Sequence, residues 1–249
     1  MRWLPPVLVI AVLIGAWQVA ASSGALADLL NLESYLVPSP AEIAESLWQS
    51  RALLAENAWV TLQEILLGFG IALACGLAFA VALHLSPTLR RAFYPLIVAS
   101  QTVPIPAIAP ILFVWLGFGI GPKLVIVALV CFFAITVNTL DGLRSVDAEA
   151  TKMMRTLNAS RAQILWRVEM PTALPFTFSG AKIAVAVAVI GAVFGEWAGS
   201  NAGLGHLILQ DNAQLETARV FAAMTILSAM ALALFGLLAL AERRIVTWR

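Results

Sequence analysis

Residues 65–85 read ILLGFGIALACGLAFAVALHL, and no Asp, Glu, Lys or Arg occurs from Ile65 to Leu89. A helix this long and apolar spans a hydrocarbon core of about 30 Å. The pattern recurs on both sides. Trp3 to Ala27, Ala92 to Pro122, Leu124 to Leu140 and Val220 to Ala241 are equally free of charge, and each can hold a crossing. A shorter run, Ile183 to Gly195, extends back toward Phe176 if Lys182 snorkels. Only 12% of the chain is charged and 61% is hydrophobic, against roughly 25% charged in an ordinary soluble domain. A soluble fold of 249 residues has too little interior to hide that surface.

The spans read as Leu4–Ala21, Ile65–Leu85, Phe93–Leu116, Leu124–Leu140, Phe176–Trp197 and Val220–Leu240, giving an all-α polytopic bundle of about six transmembrane helices in a single domain. Arg2, the first apolar run and Ala25-Leu26-Ala27 imitate a signal peptide, but the run is long for one and reads as a retained helix. Six crossings put both termini on one side. Setting that side in the cytoplasm places all of the 15 Lys and Arg inside except Arg51, Lys123 and Arg219, with Lys182 at the edge, as the positive-inside rule requires. Segment 22–64 is then extracytoplasmic. Within it Ser39-Pro40-Ala41-Glu42 is a helix start with a capping box. Ile43, Leu47, Trp48 and Leu54 give that helix an apolar face, for the membrane interface or for packing on the bundle.

Cys75 and Cys131 lie inside apolar runs as small buried hydrophobes, and no metal-ligand spacing or Gly-Lys-Ser/Thr phosphate loop occurs. No cofactor is expected on the chain itself. In the third span, Gln101-Thr102-Val103-Pro104-Ile105-Pro106 and Pro110 should break or kink the helix at membrane depth. Freed backbone groups there must face protein or a wet cavity. The stretch is therefore either a pathway lining, with Gln101, Thr102, Pro104 and Pro106 as its residues, or a kink that only shapes the bundle. In the fifth span Gly191 and Gly195 permit close helix contact. Lys182 and Glu196 sit at opposite ends of that span, about 21 Å apart, too far to pair. Glu196 and Trp197, ahead of the flexible run Gly199–Gly205, are either solute contacts at a pathway mouth or solvated boundary residues.

The segment 141–175 is the long inside loop. A helix is expected from Asp147 or Ala148 to Leu157, ended by a left-handed Asn158. A second start follows at Ser160-Arg161-Ala162-Gln163, a capping box leading to Ile164 and on to Pro171. Two short helices with apolar and basic faces suit docking into a groove on another protein; the alternative is a solvated loop.

Thr156–Arg161, Val168-Glu169-Met170-Pro171 and Ala173-Leu174-Pro175 resemble the cytoplasmic loop of permease subunits of bacterial ABC importers. That loop's signature is E-A-A, three residues, G, nine residues, I-x-L-P. With its proline on Pro171, the glycine falls on Asn158, the isoleucine on Val168 and the leucine on Met170. The triplet falls on Lys152-Met153-Met154, with the first charge reversed. Val37-Pro38-Ser39-Pro40, Leu67-Gly68-Phe69, Pro104–Gly121, Asn138–Val146 and Gly203-Leu204-Gly205 are similar to the sulfonate, nitrate, taurine and thiamine-precursor branch. Gly195-Glu196-Trp197 and Glu242-Arg243-Arg244 with Trp248 look more like its pyrimidine-precursor members.

The resemblance implies a type I importer permease of the bacterial inner membrane, working as a homodimer. It implies two cytoplasmic ATPases carrying ATP and Mg, an extracytoplasmic solute-binding protein, and no nucleic-acid partner. The ATPases would dock on Ala150, Lys152, Met153, Met154, Arg155, Leu157, Asn158, Ser160, Arg161, Gln163, Ile164 and Pro171. The cargo implied is a small polar solute of pyrimidine or thiamine-precursor type, with a sulfonate, nitrate or taurine-type anion as the alternative. An ion-coupled transporter is the rival outside the family, disfavoured by the lack of an acid deep in any span.

Overall fold

The computed structural model describes residues 4–248, and helix is the only regular secondary structure among them. Arg2 and Arg249, two of the charges assigned to the inside, lie outside the described residues. The helices are α1 (Leu4–Ser22), α2 (Ala25–Leu30), α3 (Pro40–Gln49), α4 (Arg51–Leu85), α5 (Pro87–Ser100), α6 (Ile105–Leu116), α7 (Ile120–Arg144), α8 (Ala148–Thr156), α9 (Arg161–Ile164), α10 (Met170–Gly199), α11 (Leu204–Ala213) and α12 (Thr217–Ile245). In hydrocarbon every backbone N–H and C=O must be satisfied within its own segment, which helix alone achieves for an open chain. Four helices are long and apolar enough to cross: α4, α7, the continuous helix Arg161–Gly199 and α12. The bent pair α5–α6 makes a fifth if it counts as one span, and α1 is a shorter apolar helix.

The chain divides into two compact units, Met1–Val60 with Asn201–Ala229, and Thr61–Ser200 with Met230–Arg249. In the first, the capping box at α3 forms as expected: Glu42 N–H donates to Ser39 Oγ at 3.3 Å, and Ser39 N–H donates to Glu42 Oε2 at 2.6 Å. Ala41 N–H donates to Gln18 Oε1 at 2.9 Å, tying α3 to α1. Ile43 is buried while Trp48 is 71% exposed. Arg219 grips Asp211 through two hydrogen bonds of 2.7 Å, joining the start of α12 to α11.

The second unit is built on α7 and α10, which pack along much of their length. Gly180 makes this possible: a Cβ there would stand 2.6 Å from the Ala134 carbonyl oxygen. Gly191 and Gly195 also face α7, meeting Val127, Val130 and Lys123, so the small-residue spacing serves the close helix contact its pattern predicts. Apolar clusters extend from this axis. Ala80, Leu83, Ile97 and Leu140 join α4 and α5 to α7, and Ala109, Leu112, Phe113 and Ile126 join α6 to α7. On α12, by contrast, Leu232 and Leu237 are 73% and 62% exposed, as lipid-facing side chains are.

Several boundaries differ from the sequence expectation. α4 begins at Arg51, well before Ile65, and Leu54 belongs to it rather than to α3. Nothing from Arg51 to Glu64 is Gly or Pro, so the helix continues past the last apolar residue; a charge marks the edge of the apolar run, not the end of a helix. The third span is two helices bent by 102°. The turn falls at Gln101–Pro104, while Pro106 occupies the first turn of α6, where its missing N–H costs nothing. The run after Gly199 is not loose. Gly203 takes φ +116° and donates its N–H to Asn57 Oδ1 at 2.7 Å, and α11 begins at a buried Leu204.

Segment 141–175 is mostly helix rather than loop. α7 runs to Arg144, and α8 begins at Ala148. The second short helix expected to end near Pro171 is the start of one continuous helix, Arg161–Gly199. Pro171 sits inside it because a π-turn over Leu165–Glu169 precedes it, with Met170 N–H reaching back to the Leu165 carbonyl.

Candidate functional site

α8 is an exposed element of the second unit. None of its residues is buried. Asp147 caps it by accepting from Glu149 N–H at 2.9 Å, and Asn158 ends the turn with φ +61°. Ser160 caps the next helix: Gln163 N–H donates to Ser160 Oγ at 3.3 Å, and Ser160 N–H donates to Gln163 Oε1 at 2.7 Å. Three caps in so short a stretch fix the backbone without help from a core. The apolar side chains stay outside: Met153 is 63% and Leu157 68% exposed. Lys152, Arg155 and Arg161 are exposed beside them, Ala150 and Met154 are half-buried, and Ile164 alone turns fully inward. Pro171 is half-buried within the long helix, away from the turn.

The break at 101–104 leaves Gln101, Thr102, Val103 and Pro104 exposed. Gln101 and Ser100 supply the polar side chains of a cavity of about 170 Å³ whose apolar wall includes Ile105, Ile126, Leu129 and Val130. Thr102, Pro104 and Pro106 do not contribute to that lining.

Glu196 stands elsewhere. It is 1% exposed and accepts from Thr61 Oγ1 at 2.6 Å. Beside it, Glu64 (0% exposed) pairs with Lys123 (7%), whose Nζ also donates to Ser200 Oγ at 3.0 Å. Three helices, α4, α7 and α10, meet in this buried cluster. Trp197 is half-exposed and packs edge-on to Phe194 at 5.5 Å. Glu64 and Lys123 are buried residues that the sequence expectation placed at the outer boundary without a role. One signal for them was present: the six-span reading sets Glu64, Lys123 and Glu196 at the same boundary with opposite signs. Lys182, the cation of the fifth span, pairs with Glu242 of α12 at 2.7 Å.

A second buried charge cluster sits at the far end of α4. His84 Nε2 lies 2.9 Å from Glu169 Oε2 and 3.0 Å from Arg161 Nη2, and Arg161 Nη1 donates to Glu169 Oε1 at 2.6 Å. No group of three metal-ligating side chains forms among the described residues.

With the capped hairpin and broken span in place, the comparisons agree with one another. Residues 68–247 match the family described as binding-protein-dependent transport system inner membrane component. The chain belongs to that family. It is 38% identical over 94% of its length to a probable ABC transporter permease protein of Haemophilus influenzae, covering 93% of that protein. It is 34% identical over 99% of its length to the formylaminopyrimidine transport permease protein ThiX of Halalkalibacterium halodurans, covering 96% of it. A chain of the MetNI methionine ABC transporter, solved in inward-facing conformations, has the same fold, with TM-score 0.67 and 21% identity over 80% of this chain and 97% of that one. The protein is a membrane-embedded permease subunit of an ABC importer.

Proposed function

We propose that this permease, as a homodimer in the bacterial inner membrane with both termini cytoplasmic, carries a small uncharged heterocycle of the pyrimidine or thiamine-precursor class. Two ATPase subunits, which hold the ATP and Mg, dock on the Ala150–Gln163 hairpins. A solute-binding protein delivers cargo at the opposite face. ATP-driven closure of the ATPases moves the hairpins, and rocking of the bundles switches access.

The observation that carries this reading is α8: a helix capped at both ends, with no buried side chain and with Met153 and Leu157 held out to solvent. Exposed apolar residues on a rigid helix, rimmed by Lys152, Arg155 and Arg161, have the composition of a protein-docking surface. The cargo class is supported by the cavity beside the broken span, whose named polar groups are the neutral Ser100 and Gln101. It is also supported by the extent of likeness to a formylaminopyrimidine permease. A sulfonate or taurine-type anion is the second reading, supported by 30% identity to the taurine permease TauC of Escherichia coli.

Leu157→Asp should abolish ATP-driven uptake and co-isolation of the ATPase while membrane insertion stays normal. Normal uptake by that variant removes the hairpin as the docking site. Calorimetry on the partner binding protein with formylaminopyrimidine and with taurine decides between the two cargo classes.

A further inference from the structure

Arg161 and Glu169 are eight residues apart on one continuous helix. Eight residues of regular α-helix end about 80° out of phase, on different faces. The π-turn at Leu165–Glu169 admits one extra residue, which turns the second half back by about 100° and leaves the two within about 20°. That correction brings the Glu169 carboxylate under the Arg161 guanidinium and against His84 on α4. In a regular helix the Arg161 and Glu169 side chains would leave from different faces. The Glu169 and His84 side chains are 5% and 10% exposed, so two of the three members are shielded from water while Arg161 keeps one side open to it. Arg161 stands at the first turn of the helix that follows the docking hairpin, and His84 is the penultimate residue of α4.

We infer that the Arg161–Glu169–His84 triad, aligned by the π-turn, is the clamp that makes the hairpin end of the long helix and the end of α4 move as one body when the ATPases close. This rests on the docking reading of α8 and adds to it the route by which a displaced hairpin reaches a membrane span. These are positioning residues: they touch neither solute nor nucleotide. The clamp fixes one helix end against another, so force applied at α8 is delivered to α4 instead of being absorbed in the Leu157–Ser160 turn.

The test uses the assembled transporter, permease with its ATPase, in a Cys75→Ser, Cys131→Ser background. Spin labels at Leu85→Cys and Ala162→Cys report the distance across the clamp by dipolar EPR, without nucleotide and after trapping with ATP and vanadate. The native triad should give one narrow distribution, unchanged by trapping. Glu169→Gln should broaden it and shift it on trapping, with the ATPase still co-purifying, and Glu169→Asp, which keeps the carboxylate, should leave the distribution close to native. A role in folding stability alone lowers the melting temperature of Glu169→Gln and leaves the distance behaviour native. That result, or a native distance that itself shifts on trapping, overturns the clamp. Should Glu169→Gln fail to assemble, His84→Ala carries the same measurement at the α4 member of the triad, outside the docking surface. Failure of the docking reading shows separately, as ATPase co-isolation that survives Leu157→Asp.

Discussion

Glu64 and His84 stand at two levels of α4, about 30 Å apart along its axis, close to the thickness of a bilayer core. Each anchors a buried charge cluster, and the clusters differ in kind. Around Glu64, the residues Thr61, Lys123 and Glu196 are sealed from solvent and come from three long helices. Around His84, one member stays wet: the Arg161 side chain is 44% exposed and belongs to a short capped turn beside the hairpin. The first cluster fastens three spans to one another. The second has an open side and sits where movement is expected to enter the membrane. Sealed charges fix a register; a partly wet pair at a helix start can be loaded and released.

That contrast can be broken by substitution. Lys123→Met leaves Glu64 and Glu196 buried without their cation, and should cost about 3–5 kcal/mol, read as a large loss of melting temperature in detergent. Adding Glu64→Gln to Lys123→Met should recover most of that loss, because a neutral amide beside a methionine is a far smaller penalty. Arg161→Met should cost only about 1.5 kcal/mol of stability, since water and His84 remain beside Glu169, yet it should depress uptake strongly. Equal thermal penalties for Lys123→Met and Arg161→Met would erase the distinction between the clusters. Ser160→Ala is the mildest, about 1 kcal/mol from the lost cap. It should appear as faster amide exchange confined to Arg161–Gln163, with the Glu64 end of α4 unchanged.

Much of this architecture is legible in the chain because lipid imposes a simple rule. Charge-free runs find the spans, and the Ser39 and Ser160 capping boxes and the left-handed Asn158 form where their residue types demand. The 102° bend at Gln101–Pro104 is sharper than proline content alone dictates; the angle is set by what α6 packs against, chiefly Leu112 and Phe113 on Ile126. The helix start at Arg51 was hidden for the opposite reason. Polar, helix-compatible residues mark where a membrane stops but not where a helix does. Least legible were the ion pairs. Lys182 with Glu242 and His84 with Glu169 join positions 60 and 85 residues apart, and only helix packing selects them from the alternatives. The π-turn belongs with them, since nothing local announces one extra residue in a helical phase.

The seam at Gly180 has a consequence for how a passage can open. With the Ala134 carbonyl filling the place of a side chain at Gly180, α7 and α10 leave no room at that level for a group that could rotate aside. Such a joint behaves as a weld: it transmits torque and admits no gap. Any aperture must therefore form along other surfaces, and a single methyl group grafted at that glycine would pry apart the one line on which the rest of the unit pivots.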